Sequence, residues 1–213
     1  MSVLLVLLTF LTLLTIARLR QRAPTRFPAV AVDQACAATL LFHPSHTWLV
    51  NEGEQIVRVG IDELIGQLFG QFDQIEILGL ERWVRQGQRL LTIKGAGVSI
   101  DLLSPVEGTI KSINEAVLHD PMLAIVDPYQ KGWIARLKAV DVVCNEKALL
   151  RGPLAELWMH NSFACLNEAL SELGLLGWQP RATGEGLLHL VPLELRLGLL
   201  QKLLADRVDL LAA

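Results

Sequence analysis

Two histidines three residues apart, His43 and His46, come nearest in this chain to a spacing that could do chemistry. Imidazoles so placed could hold a transition metal, but metal sites converge three or four ligands, and no cluster of Cys, Asp or Glu accompanies them. The expectation is structural, with His43 exposed and His46 packed at the edge of a core. His119-Asp120-Pro121 reads as a turn. Cys36, Cys144 and Cys165 are too few and too scattered for a disulfide framework or a CxxC metal site, and Cys144 has no evident partner base. Neither a GxSxG elbow nor a Gly-rich phosphate loop occurs. No catalytic constellation results. A protein that is not an enzyme, with no metal and no small-molecule substrate, is expected.

The elements that must position these residues begin with composition. The 213 residues are 52% hydrophobic and 19% charged, which excludes a disordered chain. Lys+Arg of 19 against Asp+Glu of 22 gives a net charge of −3, without the basic excess that a nucleic-acid binder needs to neutralise phosphates. The positive mean hydropathy comes from Met1–Ala17, a run without charge or helix breaker. At ~1.5 Å per residue it nearly spans a ~30 Å hydrocarbon core. Arg18, Arg20, Arg22 and Arg26 follow the run instead of preceding it, which favours an uncleaved anchor over a signal peptide. The positive-inside rule then places the globular part in the cytoplasm, on a single-pass protein of the inner or cytoplasmic membrane. Residues 1–22 are read as the anchor and 23–39, with Pro24 and Pro28, as a linker.

From 40 to 143 short apolar runs alternate with turn residues. Thr47–Val50 is strand-like, with a turn at Asn51–Glu54; Ile56, Val57, Val59 and Ile61 form a second strand. Asp62 caps a short helix carrying Leu64, Ile65, Leu68 and Phe69 at helical spacing. Ile75, Ile77 and Leu80 alternate again. Leu90, Leu91 and Ile93 lead to Gly95-Ala96-Gly97, and Val98, Ile100, Leu102 and Leu103 return. Ser104-Pro105-Val106-Glu107-Gly108 makes a corner before Thr109–Ile113. The pattern predicts a small sandwich or flattened barrel. Trp83, Tyr129 and Trp133 are expected as core or rim residues.

Particular residues narrow that reading. His46-Thr47-Trp48, Val59-Gly60-Ile61-Asp62, Leu68-Phe69-Gly70, Ser104-Pro105-Val106-Glu107-Gly108 with Asn114-Glu115-Ala116, and Asp127-Pro128-Tyr129 with Gly132-Trp133 stand in the order seen in the glycine cleavage system H protein, which this stretch resembles. The resemblance covers roughly residues 41–141. It implies a mainly β, flattened lipoyl/biotinyl-type barrel-sandwich hybrid, here with one N-terminal transmembrane helix and an α-helical C-terminal extension. It also implies a lysine at the tip of a tight hairpin, carrying lipoate. In an ungapped register that position is Gly97, and the acidic residue that usually stands three positions earlier is Lys94. Two readings follow: the arm is lost, with no cofactor, and the domain is a rigid binding module; or Lys94 carries lipoate instead, as a carrier of glycine cleavage or a related redox system. Lys94 lies on the strand before the turn, and a shift by an odd number of positions would invert that strand's faces, so the first reading leads.

The remainder, 144–213, departs from that resemblance. Pro153 starts a helix with a stripe of Leu154, Leu157, Trp158, Cys165, Leu166, Ala169, Leu170 and Leu173, ended by Gly174 and Gly177. Leu187–Val191 is read as one short strand and Leu193–Leu211 as a second amphipathic helix. Either these helices pack on each other or on the β-domain, or a leucine-rich face docks a protein partner. Gly95, Ala96, Gly97, Leu199 and Leu203 are the candidate contacts. The function expected is that of a scaffold or assembly subunit among protein partners in a membrane complex, held to the bilayer by its N-terminal helix.

Overall fold

The structure is a computed structural model that describes residues 40–175 and 186–205. The expected anchor and linker lie outside the described residues. Among the described residues no helix is long and apolar enough to cross a membrane.

The chain enters on β1 (Leu41–His43), turns through Pro44–His46, and continues as β2 (Thr47–Gly53) and β3 (Ile56–Ile61). The turn between β2 and β3 falls later than its Asn-Glu-Gly sequence suggests. Asn51 Oδ1 accepts from the Gly53 amide at 2.9 Å, and Glu54 and Gln55, both at positive φ, make the reversal. Asp62 then caps α1 (Glu63–Phe69), its carboxylate accepting from the Leu64 and Ile65 amides.

Next come β4 (Gln74–Ile77), β5 (Trp83–Val84), β6 (Arg89–Gly95), β7 (Val98–Leu103) and β8 (Gly108–Ile113). Leu80 is not part of the β4 alternation: the Gly79–Arg82 turn carries it into solvent. Two short helices, α2 (Glu115–His119) and α3 (Leu123–Val126), lead to β9 (Ala135–Ala139). A six-stranded sheet, β1-β2-β3-β9-β8-β5, faces a three-stranded one, β4-β6-β7. Alternation along each strand puts Leu49, Val57, Val59, Ile75, Ile93, Ile100, Leu102 and Leu137 into the core between them.

The rest is helical: α4 (Val142–Glu146), which straddles the expected boundary at 143/144, then α5 (Pro153–Glu172), a 3₁₀ turn (Leu187–Leu190) and α6 (Leu193–Ala205). Pro153 opens α5, and Gly174 closes it at φ +71. The Gly174 amide reaches the Ser171 carbonyl and the Leu175 amide the Leu170 carbonyl, the paired bonds of a Schellman motif. The stripe on α5 is rotated from the expected one: Ala155, Trp158, Ser162, Leu166, Ala169 and Leu170 are buried, whereas Leu154, Leu157 and Cys165 face solvent.

Leu187–Val191 is not a strand. Leu187 and Leu188 are adjacent and both fully buried, which alternating strand geometry cannot achieve against one surface, whereas a 3₁₀ turn can. Both extension helices share the core of the β-layers. A ladder contact also ties the chain's start to the extension: Phe42 and Leu150 exchange both backbone hydrogen bonds, at 2.9 and 2.8 Å.

Candidate functional site

β6 and β7 form a hairpin in which Gly95 pairs with Val98, leaving Ala96 and Gly97 as a two-residue turn. Both have positive φ, +50 and +72, as a type I′ turn requires. Glycine at 97 meets that requirement without the penalty other residues carry. Gly95 lies against α1: a Cβ there would come within 2.9 Å of both the Gln71 carbonyl oxygen and Phe69 Cδ1. Lys94 is on the opposite, solvent face of the three-stranded sheet, paired with Gln74 and Ser99. Its ammonium forms an ion pair with Glu76, diagonally across the β4–β6 ladder.

A hairpin apex is usually open, yet Ala96 is only 6% exposed. The cover is α6. Arg196 Nη1 donates to the Ala96 carbonyl, and Arg196 Nε, donating to the Val191 carbonyl at 2.8 Å, holds the guanidinium in that orientation. Leu193 lies over Gly97, where a Cβ would meet Leu193 Cδ1 at 2.9 Å and Arg196 Nη1 at 3.8 Å. Behind the apex, Gly186 passes so close to the Phe69–Gly70 backbone that no side chain fits.

The candidate contacts therefore divide. Leu199 and Leu203, 7% and 4% exposed, are not a free docking face but part of the chain's own core, because the leucine stripe of α6 turns inward against α5 and β7. Gly95 and Ala96 are buried, whereas Gly97 is exposed, with the half-exposed side chain of Leu193 beside it. Arg196, which clasps the turn, was missed by sequence reasoning. Its one signal is its place on the Leu199, Leu200, Leu203 side of the helix, where a lone cation needs an acceptor.

A second cluster lies at the β1–β2 turn. His46, fully buried at φ +63, hydrogen-bonds through Nδ1 to Asp62, also fully buried, and its ring stacks on Trp158 with centroids 5.1 Å apart. One imidazole thus ties the turn, the α1 cap and α5 together. Tyr129 is buried against Trp48 and Phe42; burial first, then the charges of Glu63 and Asp62, raise its pKa well above that of a free phenol. Trp133 is half-buried, with the Arg136 guanidinium 4.3 Å above its ring, whereas Trp83 is exposed and belongs to neither core nor cluster. Among the described residues no group of three or more His, Cys, Asp or Glu is placed to hold a metal.

His43 is not exposed as expected but partly buried, its Nδ1 accepting from the Ser45 amide at 3.1 Å. Burial, followed by the charge of His46, lowers its pKa from 6.5 to about 4. As pH falls, the unfolded chain takes up this proton first. The stability that neutral His43 contributes is complete above pH 6.5 and is lost on descending to about 4. Tm in a pH series is expected to fall across that window, with a shallower slope in His43→Gln. Equal slopes would assign the acid sensitivity to other groups.

The sequence model of the glycine cleavage H-protein family matches residues 40–160. The glycine cleavage system H protein of Vibrio vulnificus is 30% identical over 103 residues, covering 48% of this chain and 82% of the relative. That of Legionella pneumophila is 34% identical over 99 residues, covering 46% and 78%. A crystal structure of the H protein from Mycobacterium marinum aligns with a TM-score of 0.48 at 21% identity, over 65% of this chain and 98% of that one.

Proposed function

Because this chain belongs to the glycine cleavage H-protein family, we propose that it is a member without the lipoyl arm, non-catalytic, serving as a scaffold or assembly subunit of a membrane complex. The observation that carries this reading is the apex of the β6–β7 turn. Laid ungapped on the family pattern, the lysine's place is Gly97, which has no side chain to acylate. Substitution of the acceptor is supported by what surrounds it, since α6 clasps the Ala96 side of the turn and sets Leu193 beside the exposed Gly97. Lys94 is a poor replacement: it lies on a strand and is engaged by Glu76. Membrane attachment rests on the uncharged run Met1–Ala17 and the arginines after it, which would hold the globular part at the cytoplasmic face. Tethering would confine the partner search to the bilayer plane and raise the effective concentration there.

Intact mass of the protein purified from its own host tests the proposal. An unmodified chain is expected, recovered in the membrane fraction. A mass increase of one lipoyl group, abolished by Lys94→Arg, would replace this reading with that of a carrier passing groups or electrons between enzymes.

A further inference from the structure

We infer that the segment 186–205 is a resident occupant of the β6–β7 turn, so that the Ala96 side of the turn is closed to other proteins for as long as α6 is seated, and access to the exposed Gly97 is narrowed by Leu193 and Arg196. This deepens the reading above, on which the apex is the place of the lost lysine, but the closure is argued from contacts within this chain. Three separate contacts make it. Gly186 fits against the Phe69–Gly70 backbone, on the same end of α1 that Gly95 approaches from the other side. Leu187, Leu188, Leu199, Leu200 and Leu203 are buried, so the segment is part of the core and not a loose arm. Arg196 closes over the apex, donating to the Ala96 carbonyl. The apex is therefore held between α1 beneath and α6 above.

The closure has a directional consequence. A side chain at 97 would leave the backbone toward Leu193 Cδ1 and the Arg196 guanidinium. A lysine there would crowd the first turn of α6 and bring a second cation beside Arg196. Acylation of a lysine at 97 would therefore require Leu193 and the Arg196 clasp to move aside, which sets it against a seated α6. Glycine at 97 and the helix above it form a matched pair.

The test restores the amine in the full chain. Gly97→Lys is incubated with a bacterial lipoate–protein ligase, lipoate and ATP. The lysine amine attacks the lipoyl-adenylate carbonyl, the amide forms and AMP leaves, and the product is followed by intact mass. The same reaction is run on Gly97→Lys combined with Arg196→Ala, which removes the clasp and leaves the buried leucines in place. It is also run on Gly97→Lys combined with Leu200→Asp, which drives α6 off by burying a carboxylate. Hydrogen exchange of the α6 amides reports whether the helix is seated in each chain.

Modification at least ten-fold slower in Gly97→Lys than in the Leu200→Asp combination is expected, with Arg196→Ala between them. Equal rates with α6 already unprotected in Gly97→Lys also support mutual exclusion. Equal rates with α6 still protected overturn the closure, and so does absence of modification in a chain whose α6 is unprotected. Lipoate found on the native protein would defeat the proposed function and leave this result as it stands.

Discussion

Gly186→Val is expected to be strongly destabilising, because Gly186 is buried directly against the backbone of α1. The Cβ it adds would collide with the Phe69 carbonyl group and the Gly70 amide, which are backbone atoms at the end of a buried helix and cannot swing aside. The 3₁₀ turn has to move instead, and Leu187, Leu188 and Leu200 lose their cover. Each such leucine contributes about 1.5–3 kcal/mol when buried. With partial re-collapse the net loss is expected to be about 3–5 kcal/mol, enough to lower Tm by roughly 10 °C in a chain of this size. Gly198 supplies the control. It lies within α6 with nothing near its missing Cβ, so Gly198→Ala should stabilise by about 1 kcal/mol through helix propensity. Calorimetry on both variants decides the matter: a Gly186→Val melting within about 2 °C of the parent would mean that the tail does not seat on α1.

His46→Leu is expected to be comparably severe for a different reason. It leaves the Asp62 carboxylate fully buried without the imidazole it now binds, and a buried charged acceptor deprived of its hydrogen-bond partner costs about 3 kcal/mol or more. It also removes the ring on which Trp158 stacks, so α5 should loosen with the barrel. Asp62→Asn should be milder, because asparagine retains the capping oxygen for the Leu64 and Ile65 amides. Urea titrations of both variants check the ranking. A His46→Leu midpoint displaced less than that of Asp62→Asn would show that the buried carboxylate does not depend on the imidazole.

The β-domain was largely readable from the sequence because strand alternation and turn chemistry are local. Asp62 before a helical stripe, Gly95-Ala96-Gly97 between two apolar runs, and Pro153 before another helix each state their role within a few residues. The extension was read less well. Leucines on α5 and α6 mark a helix but not which leucines face in: that depends on the neighbour, so Leu154 and Leu157 turned out and Leu199 and Leu203 turned in. The 3₁₀ turn at Leu187 was mistaken for a strand because a short apolar run has no period of its own. At the turn, Ala96 and Gly97 were legible as the reversal between two apolar runs. Arg196 could not be assigned, since its acceptor lies a hundred residues earlier in the chain. Asp62 was recognised as a cap, and its bond to His46 was hidden by the separation of 16 positions along the chain.

The exchanged hydrogen bonds between Phe42 and Leu150 also determine how tension would travel through the molecule. A pull on the chain at Leu40 is taken first by the three residue pairs of the β1–β2 ladder and by Leu150, immediately ahead of α5. Such a pull would peel this corner and slacken Trp158 on His46 well before it strained the β6–β7 hairpin. The β1 corner is thus a mechanical fuse that yields first to tension at Leu40, and the clasped β6–β7 turn is a fastened buckle.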